Sequence, residues 1–326
     1  MLTGENKDFT LIRCHDNAEW LQQRTHGIGG SDVAAIMGIS KYKSAYALYM
    51  EKVGLLQPED ISDKPAVHWG CVLEPIVGEE YKKNHPKREV RRVNAICKSI
   101  KRPWAQASLD YEVKDEELGW GVLEIKTAGL NRAKDWEDGI PLYYQTQIIH
   151  YLSVLNRPFA DVAVLIGGQD YREFRYMRDI EDENALVKDV DNFWHQNVEA
   201  GVVPDIDATY ADAQAVLAAG TPSTGEIIDY TDDITPFERF MQAKAAKDRA
   251  DEYYKLTGNK VKKLIGDSKG VNTPLGKFTW VRGTSTKFDM KAFSAEHADL
   301  KDKYMTEYKR DGGIRVTVQK GYSWEL

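Results

Sequence analysis

Residues 121–127 read GVLEIKT, and this strand-like run carries a glutamate and a lysine two positions apart. Successive side chains of a β-strand point to opposite faces, so Glu124 and Lys126 share one face of the predicted strand. Fourteen positions before the glutamate stands Asp110, in a second strand-like run that reads ASLDYEV. These charged residues are either solvent-exposed side chains without a role or part of a catalytic site, and other parts of the sequence help to decide between the two.

The two runs predict a β-hairpin whose strands are joined by the polar loop KDEELG. If the hairpin is symmetric about this loop, Asp110 lies opposite Glu124. The same register places Ser108 opposite Lys126, with all four side chains on one face. Two carboxylates at cross-strand distance repel each other unless a cation lies between them. Because Mg²⁺ is normally held by one or two carboxylates with water and phosphate oxygens, the pattern indicates metal-assisted phosphodiester hydrolysis.

Two polar side chains interrupt apolar helical stripes elsewhere in the chain. Glu74 lies on the stripe of a helix predicted over residues 65–84, and Gln147 lies on that of a helix predicted over residues 140–156. Glu74 either completes the metal shell or pairs with a surface lysine at the edge of its helix. Gln147 is either a phosphate contact or a satisfied core amide.

A glycine-rich turn at residues 27–30 leads into Ser31, which is predicted to be the N-cap of a short helix that ends at Met37. Backbone N–H groups and a hydroxyl at a helix N-terminus form a natural seat for a phosphate, although an N-cap with no further role is the commoner case. Arg24 can make a forked contact to the same phosphate. Ser44 is predicted to cap a second helix, which closes at Gly54.

The order of elements predicts an α/β (α+β) fold with a small mixed sheet flanked by helices. A composition shift near residues 205–230 predicts a domain boundary, with a first domain over residues 1–230 and a C-terminal module over residues 231–326. The module is predicted to contain a long amphipathic helix or a helical pair, and the strands GKFTWVRG and IRVTVQK. In the first domain, strands are predicted at residues 92–100, 104–113, 120–128, 160–168 and 171–177.

Composition and charge narrow the class of protein. The 326 residues are 42% hydrophobic and 29% charged, and no apolar run is long enough to span a bilayer, so we expect a cytoplasmic protein. Cys14, Cys71 and Cys97 lie far apart and are predicted to be reduced, buried thiols.

The net charge of −7 argues mildly against indiscriminate coating of nucleic acid. Nine of the residues from Lys82 to Arg102 are basic and one is acidic, which indicates either a solvated face or a surface that guides a polyanion.

Five separated motifs together resemble the YqaJ-like viral recombinase family, which groups with the lambda-type phage exonucleases in the PD-(D/E)xK nuclease superfamily. The resemblance runs from about Trp20 to about Pro204 and implies a restriction-endonuclease-like core. The motifs are W-x3-R-x6-S-D at residues 20–32, W-G-x3-E at residues 69–74, S-x-D at residues 108–110, E-x-K at residues 124–126 and Y-x2-Q at residues 144–147.

The resemblance implies a Mg²⁺-dependent nuclease that resects the ends of double-stranded DNA, commonly 5′ to 3′, with Mn²⁺ expected to substitute. The single strand that it leaves would pass to an annealing protein, in the cytoplasm of a bacterial host to a phage or prophage. Some members of the family form rings of three subunits. By position, the resemblance implies the metal ligands Asp110, Glu124 and the Ile125 carbonyl, the catalytic residues Lys126 and Glu74, and the phosphate-contacting residues Arg24, Ser31, Ser108, Gln147 and Tyr151.

The sequence also departs from the family pattern. Members often show S-P-D-G where residues 108–111 read SLDY, and a second glutamine that is often present is Ile149 here. Two other functions stay open, namely a non-catalytic DNA-binding scaffold for recombination and a structure-specific endonuclease on the same core. The intact set of Asp110, Glu124 and Lys126 favours the exonuclease over the scaffold.

Overall fold

The computed structural model describes residues 7–58, 60–206, 225–284 and 286–304. The chain divides into two compact units, Met1–Thr221 and Pro222–Leu326. Within the described ranges, no helix is both long enough and apolar enough to cross a membrane. The strand predicted at residues 314–320 lies outside the described residues, and the predicted domain bounds stay predictions.

Two sheets form the centre of the first unit. The larger sheet has the strand order β2-β5-β6-β7-β8, in which β6 and β7 pair in parallel and the other neighbours pair antiparallel. The smaller sheet has the antiparallel order β1-β3-β4. This mixed sheet, with helices packed on it, confirms the predicted α/β (α+β) fold class. The strands are β1 (Phe9–Ile12), β2 (Glu89–Arg92), β3 (Ile96–Ser99), β4 (Gln106–Ala107), β5 (Tyr111–Asp115), β6 (Gly119–Ala128), β7 (Phe159–Ile166) and β8 (Asp170–Met177).

Helices pack against both faces of the larger sheet. Alternation along β6 separates two buried clusters, because Val122 packs with Leu152 on one face while Leu123 packs with Val77 and Tyr81 on the other. The helices of this unit are α1 (Asn17–Thr25), α2 (Gly30–Ile36), α3 (Ala45–Lys52), α4 (Pro65–Asn84), α5 (Leu142–Leu155) and α6 (Ile180–Asn192), with a 3₁₀ helix at Leu130–Trp136 and a π-helix at Phe193–Glu199.

One of the predicted strands is divided in the structure, and another has different bounds. The run at residues 104–113 forms β4 and β5, which belong to different sheets and are separated by a bend at residues 108–110. The run at residues 92–100 begins at the last residue of β2, which the prediction did not include as a strand, and then forms β3. The prediction of a single strand over residues 104–113 was wrong because alternation reports which side of a strand is buried but not which sheet it joins.

The helix that follows the glycine-rich turn begins two residues earlier than predicted. Gly29 is the N-cap of α2, so Ser31 lies inside the first turn and its prediction as the N-cap was wrong. Asp32, the third residue of the helix, stabilises this start, because its carboxylate accepts a hydrogen bond from the Gly29 N–H at 3.0 Å. Ser44 caps α3 as predicted, with its hydroxyl accepting from the Ala47 N–H at 3.0 Å.

The three cysteines are free but differ in exposure. Cys97 is buried as predicted, Cys14 is half-buried and Cys71 is exposed. The prediction for Cys71 was wrong because the apolar stripe of α4 is buried only in the C-terminal part of the helix, at Val77, Gly78 and Tyr81.

The described part of the second unit contains one long helix rather than a helical pair, and a strand within the run GKFTWVRG. Strands β9 and β10 form an antiparallel hairpin in which Thr273 pairs with Gly276. The described elements are α7 (Thr235–Ile265), β9 (Gly270–Thr273), β10 (Gly276–Thr279), α8 (Met290–Glu296) and α9 (Ala298–Lys303).

Candidate active site

The β5–β6 hairpin has the register predicted from its symmetry. Tyr111 pairs with Leu123, which places Asp110, one residue before β5, level with Glu124. Because β5 begins only at Tyr111, the side chain of Asp110 rather than its backbone meets β6. Its carboxylate accepts a hydrogen bond from the Ile125 N–H at 2.8 Å. The bend between β4 and β5 therefore directs the aspartate toward the middle of the neighbouring strand.

Glu124 is a buried carboxylate with one satisfied oxygen. Its side chain is held on the α5 face of β6, where Oε1 accepts from Lys126 Nζ at 2.7 Å and from Gln147 Nε2 at 2.8 Å. Oε2 is buried and has no hydrogen-bond partner among the described residues. Burial and the charge of the nearby Asp110 raise the pKa of Glu124 to about 7. An unpartnered buried carboxylate oxygen costs free energy, so this oxygen has the capacity to bind a cation.

Lys126 provides the positive charge of the cluster. Its Nζ lies 3.3 Å from Gln147 Oε1 and 4.8 Å from the centre of the Tyr144 ring, in addition to its bond to Glu124. Burial alone lowers the pKa of this lysine, but the carboxylates of Glu124 and Asp110 outweigh it and raise the pKa above its usual value. The side chain is therefore a protonated ammonium group at neutral pH.

Asp110 shares the same environment from the other strand. Burial raises the pKa of its carboxyl, against the opposing effects of Lys126 and of the Ile125 N–H. The two carboxylates thus share one buried, low-dielectric environment, in which the charge of Lys126 acts on both. Such an arrangement favours a bound cation, because a cation offsets the mutual repulsion of the carboxylates.

Helix α5 supplies the amide and the phenol that hold this cluster in place. The Gln147 amide donates to Glu124 and also to the Tyr151 hydroxyl at 2.9 Å. The Tyr151 hydroxyl in turn donates to the Ser108 carbonyl at 2.6 Å. Gln147 is thus a satisfied amide within the cluster, and this chain of bonds connects α5 to the bend that carries Asp110.

A second polar cluster surrounds the start of α2. The Arg24 guanidinium donates to the Ser31 hydroxyl at 2.7 Å and to Asp32 at 3.2 Å, and it lies over the Trp20 ring. Lys52 Nζ donates to the other Asp32 oxygen at 2.8 Å. Burial alone would raise the pKa of Asp32, but the charges of Lys52 and Arg24 hold it well below its usual range.

Sequence reasoning missed Lys52 in this cluster. Asp32 is only 2% exposed, and a buried carboxylate requires cations around it. The need for a second cation beside Arg24 could have been inferred had that burial been predicted. Its position twenty residues further along the chain could not, because nothing in the run AYALYMEKV distinguishes Lys52 from a lysine at the end of any helix.

The two clusters lie side by side because α2 packs closely on α5. A Cβ atom at Gly30 would lie 2.5 Å from Tyr151 Cε1 and 2.8 Å from Gln147 Cγ. Only glycine therefore fits this contact without a shift of Tyr151 or Gln147. It brings Arg24 and Ser31 next to the residues that hold Glu124.

Glu74 faces the site but is paired with an arginine. Its Oε1 accepts from Arg92 Nη2 at 2.8 Å, so the surface lysine considered from sequence is not its partner among the described residues. Burial and the charge of Asp110 raise the pKa of Glu74, while Arg92 opposes the shift. The carboxyl is thus close enough to Asp110 to be affected by its charge.

These donors suit Mg²⁺, which keeps water and phosphate ligands, better than they suit a metal ion enclosed entirely by protein ligands. Among the described residues, no three His, Cys, Asp or Glu side chains are grouped as a metal site. Mg²⁺ needs fewer, since one or two carboxylates suffice when water and phosphate oxygens complete its shell. Asp110 and the free Oε2 of Glu124 meet that requirement. In an extended strand the carbonyl of Ile125 points to the same side as its N–H, which is the side of Asp110.

The basic run at residues 82–102 does not form one free surface. Arg88 pairs with Asp161 at 2.9 Å, Arg92 pairs with Glu74, and Arg91 pairs with Glu89. Several charges that the sequence presents as a continuous stretch are therefore used inside the first unit.

The fold and the grouped residues define a class of protein. A mixed sheet whose hairpin brings an aspartate, a glutamate and an E-x-K lysine together is the arrangement that the resemblance to PD-(D/E)xK nucleases implied. The sequence pattern of the YqaJ-like viral recombinase domain matches residues 19–158. The uncharacterized protein YqaJ of Bacillus subtilis (strain 168) is 31% identical over 304 residues, which are 90% of this chain and 93% of that protein. The chain belongs to the YqaJ-like viral recombinase family.

The solved structures to which this chain is similar include two exonucleases. An alkaline exonuclease, LHK-Exo, from Laribacter hongkongensis is 21% identical with a TM-score of 0.46, covering 56% of this chain and 93% of that one. Its complex with dAMP matches to the same extent. A phage-related exonuclease from Haemophilus somnus 129PT is 11% identical with a TM-score of 0.38, covering 54% of this chain and 96% of that one.

Proposed function

We propose that this protein is a Mg²⁺-dependent exonuclease that resects the ends of double-stranded DNA from 5′ to 3′ and leaves single strands for recombination by annealing. The observation that carries the proposal is the buried, unpartnered Oε2 of Glu124 beside Asp110 and Lys126. A structural carboxylate in a protein core is normally satisfied by protein partners. Membership of the viral recombinase family supports the role in recombination, and the direction of resection rests on that resemblance alone.

The metal would be held by Asp110, Glu124 and the carbonyl of Ile125, with Mn²⁺ able to replace Mg²⁺. Bound there, the ion would polarise a phosphate oxygen and lower the pKa of a water molecule. The free oxygen of Glu124 and the Ile125 carbonyl on the side of Asp110 support this assignment.

The protein's own groups would position the DNA and the attacking water. Lys126, kept protonated by its carboxylate neighbours, would orient the water and offset the negative charge that forms at phosphorus. Gln147 fixes both Glu124 and Lys126, so it would keep the two side chains in register with the scissile phosphate. Glu74 would act as a further acid at the edge of the site.

Arg24 and Ser31 would hold a phosphate beside the cut. Arg24 uses one terminal nitrogen for Ser31 and Asp32, and a guanidinium has five N–H donors in a planar fork. The remaining donors could therefore bind a phosphate without breaking the contacts that orient the side chain. The carbonyl of Ser108 is tied to Tyr151, so these two residues would support the adjoining backbone contacts.

A nuclease assay on the full-length protein tests the proposal. Linear duplex DNA labelled at the 5′ or the 3′ end should be degraded with Mg²⁺, with the 5′ label released first, while covalently closed circles survive. Glu124→Ala and Lys126→Ala should each lower the cleavage rate by roughly 10³-fold, because each removes a group at the reacting phosphate, while DNA binding persists. Glu117→Ala, in the exposed loop of the same hairpin, is the matched control and should cleave like the wild type.

Three results would contradict parts of this proposal. Intact linear duplex across a Mg²⁺ and Mn²⁺ titration would exclude catalysis and favour the DNA-binding scaffold. Nicking of closed circles would favour the structure-specific endonuclease. Earlier release of the 3′ label would reverse the direction of resection.

A further inference from the structure

The charge of the second unit is concentrated at one end of its long helix. Residues 235–254, the first part of α7, carry four basic and four acidic side chains. Residues 255–282, which we call the basic segment, comprise the end of α7, the following turn and the β9–β10 hairpin. The basic segment has one acid, Asp267, and seven basic residues in a chain whose net charge is −7: Lys255, Lys260, Lys262, Lys263, Lys269, Lys277 and Arg282.

These seven basic side chains are all exposed. None of them forms an ion pair with another residue in the part of the chain that the structure describes. On the first part of α7, by contrast, Lys244 pairs with Asp248 at 2.6 Å. The excess positive charge of the basic segment is therefore available to an external anion, whereas the charges on the first part of the helix balance one another.

Contacts within the basic segment hold its parts together. The Arg282 guanidinium donates to the Gly266 carbonyl at 2.9 Å and to the Ser268 carbonyl, so the end of the hairpin is fixed to the end of α7. Arg282 also lies over the Trp280 ring at 4.4 Å, and Lys262 lies 6.0 Å from the same ring. The lysines of the helix and those of the hairpin are thus presented on one connected element.

We propose that the basic segment binds duplex DNA through its phosphates, as a contact separate from the candidate active site. Six of its seven cations are lysines, and lysine is depleted at protein–protein interfaces, so an acidic protein partner fits this composition less well. Lysine ammonium groups neutralise phosphates without reading sequence. Cations lie over the Trp280 ring, which leaves it less suited to stack on the bases of a single strand. This inference does not depend on cleavage by the first unit.

Binding measurements on full-length variants test this inference. K260Q/K262Q/K263Q removes three charges from the basic segment, and R239Q/K244Q/K247Q removes three from the balanced part of the same helix. Affinity for a hairpin-ended duplex would be measured by fluorescence anisotropy from 50 to 200 mM salt with EDTA present. Each phosphate contact adds about 0.9 to the slope of log K against log salt, so the first variant should lower its magnitude by about 2 to 3.

The same measurement separates the alternatives. We expect K260Q/K262Q/K263Q to bind about 10²- to 10³-fold more weakly at 100 mM salt, which is the loss that this change of slope gives when the affinities are equal at 1 M salt. The variant of the balanced part should stay close to the wild type. A second variant, K269Q/K277Q, removes two charges from the hairpin and should lower the slope by about 2. Equal losses in the two triple variants, or none in either, would overturn the assignment. A larger loss with a single-stranded oligonucleotide than with the duplex would overturn the choice of duplex. Because the assay contains no divalent metal, it gives its answer whether or not the protein is a nuclease.

Discussion

Glu124 and Asp161 are buried carboxylates on adjacent strands, and their partners differ sharply. In the parallel pairing of β6 with β7, Leu123 lies beside Asp161, so the two acids are one residue apart in register and face opposite sides of the sheet. Both Asp161 oxygens are satisfied, by Arg175 at 2.7 and 2.8 Å, by Arg88 at 2.9 Å and by the Tyr81 hydroxyl at 2.5 Å. Glu124 has two donors on one oxygen and none on the other.

This difference shows that burial alone does not identify a functional acid. Both carboxylates are less than 5% exposed, but only for Asp161 do protein donors complete the requirement of each oxygen. Arg88 and Arg175 also pair with Asp115, so the charges around Asp161 are balanced within one network of ion pairs. Around Glu124 the neighbouring Asp110 adds repulsion instead. We call Asp161 with Arg88, Arg175 and Tyr81 the closed cluster, and Glu124 with Asp110, Lys126 and Gln147 the open cluster. The closed cluster is suited to stabilise the fold, whereas the open cluster keeps a carboxylate oxygen for a cation at the expense of stability.

The largest effect on stability should come from neutralising Asp161, and neutralising Glu124 provides the comparison. Asp161→Asn leaves two arginines without their shared buried partner, and it should lower the free energy of unfolding by about 3 kcal/mol. The loss should be no larger than this because both arginines are partly exposed to solvent. Glu124→Gln removes a charge that the folded state disfavours, so stability should stay within about 1 kcal/mol of the wild type. Urea denaturation at pH 7.5 measures both changes.

Cleavage assays complete this comparison. Asp161→Asn should keep the catalytic rate of its folded fraction, while Glu124→Gln should lose cleavage. If Glu124→Gln proved as destabilising as Asp161→Asn, Glu124 would be a structural acid. The distinction between the open and the closed cluster would then fail.

A smaller effect on stability is expected from His150, a buried histidine whose hydrogen bonds are satisfied in the neutral form. Its Nε2 lies 2.9 Å from the Gln106 carbonyl and 3.1 Å from the Ile28 carbonyl, so the neutral ring carries its proton there. Burial lowers the pKa of His150 to about 4, and the unfolded chain therefore takes up a proton near pH 6.5 that the folded chain excludes. The stability from this residue is complete above pH 6.5 and is lost as the pH falls, by roughly 2 kcal/mol between pH 7 and pH 5.

A paired variant isolates that contribution. The raised pKa values of Glu124 and Asp110 act in the opposite sense, since the folded protein binds their protons more readily than the unfolded chain does. The measurement is therefore the difference between the wild type and His150→Gln, whose amide can still donate to the carbonyls. An unchanged difference at pH 7 and pH 5 would show that His150 is not the neutral buried group described here.

The open cluster was more accessible to sequence reasoning than the closed one. Alternation placed Glu124 and Lys126 on one face, and hairpin symmetry placed Asp110 opposite the glutamate, because both follow from local spacing. The partners of Asp161 come from residues 73 and 80 positions earlier as well as from the next strand. No local pattern connects such residues. The division of the run at residues 104–113 between two sheets was also missed, since it depends on packing of the whole unit.

Gly30→Ala should have the smallest effect on stability and should act on the open cluster. The added methyl would meet the ring of Tyr151 and the Cγ of Gln147 at distances below 3 Å. Overpacking of this kind costs about 1–3 kcal/mol, and the better helix propensity of alanine offsets part of it, which leaves a net loss of about 1 kcal/mol. Displacement of Gln147 should also lower cleavage by about tenfold, because it loosens the contacts that hold Glu124 and Lys126.

The matched control for this substitution is Gly70→Ala on α4. A methyl group there would lie 3.7 Å from Thr127 Oγ1, an ordinary van der Waals contact, so the change should be neutral or stabilising by up to about 1 kcal/mol. Thermal unfolding and cleavage rates of the two variants should therefore move apart. If Gly30→Ala lowered stability but left cleavage unchanged, the close contact of α2 with α5 would support only the fold. Gln147 would then not be the side chain that keeps the open carboxylate in place.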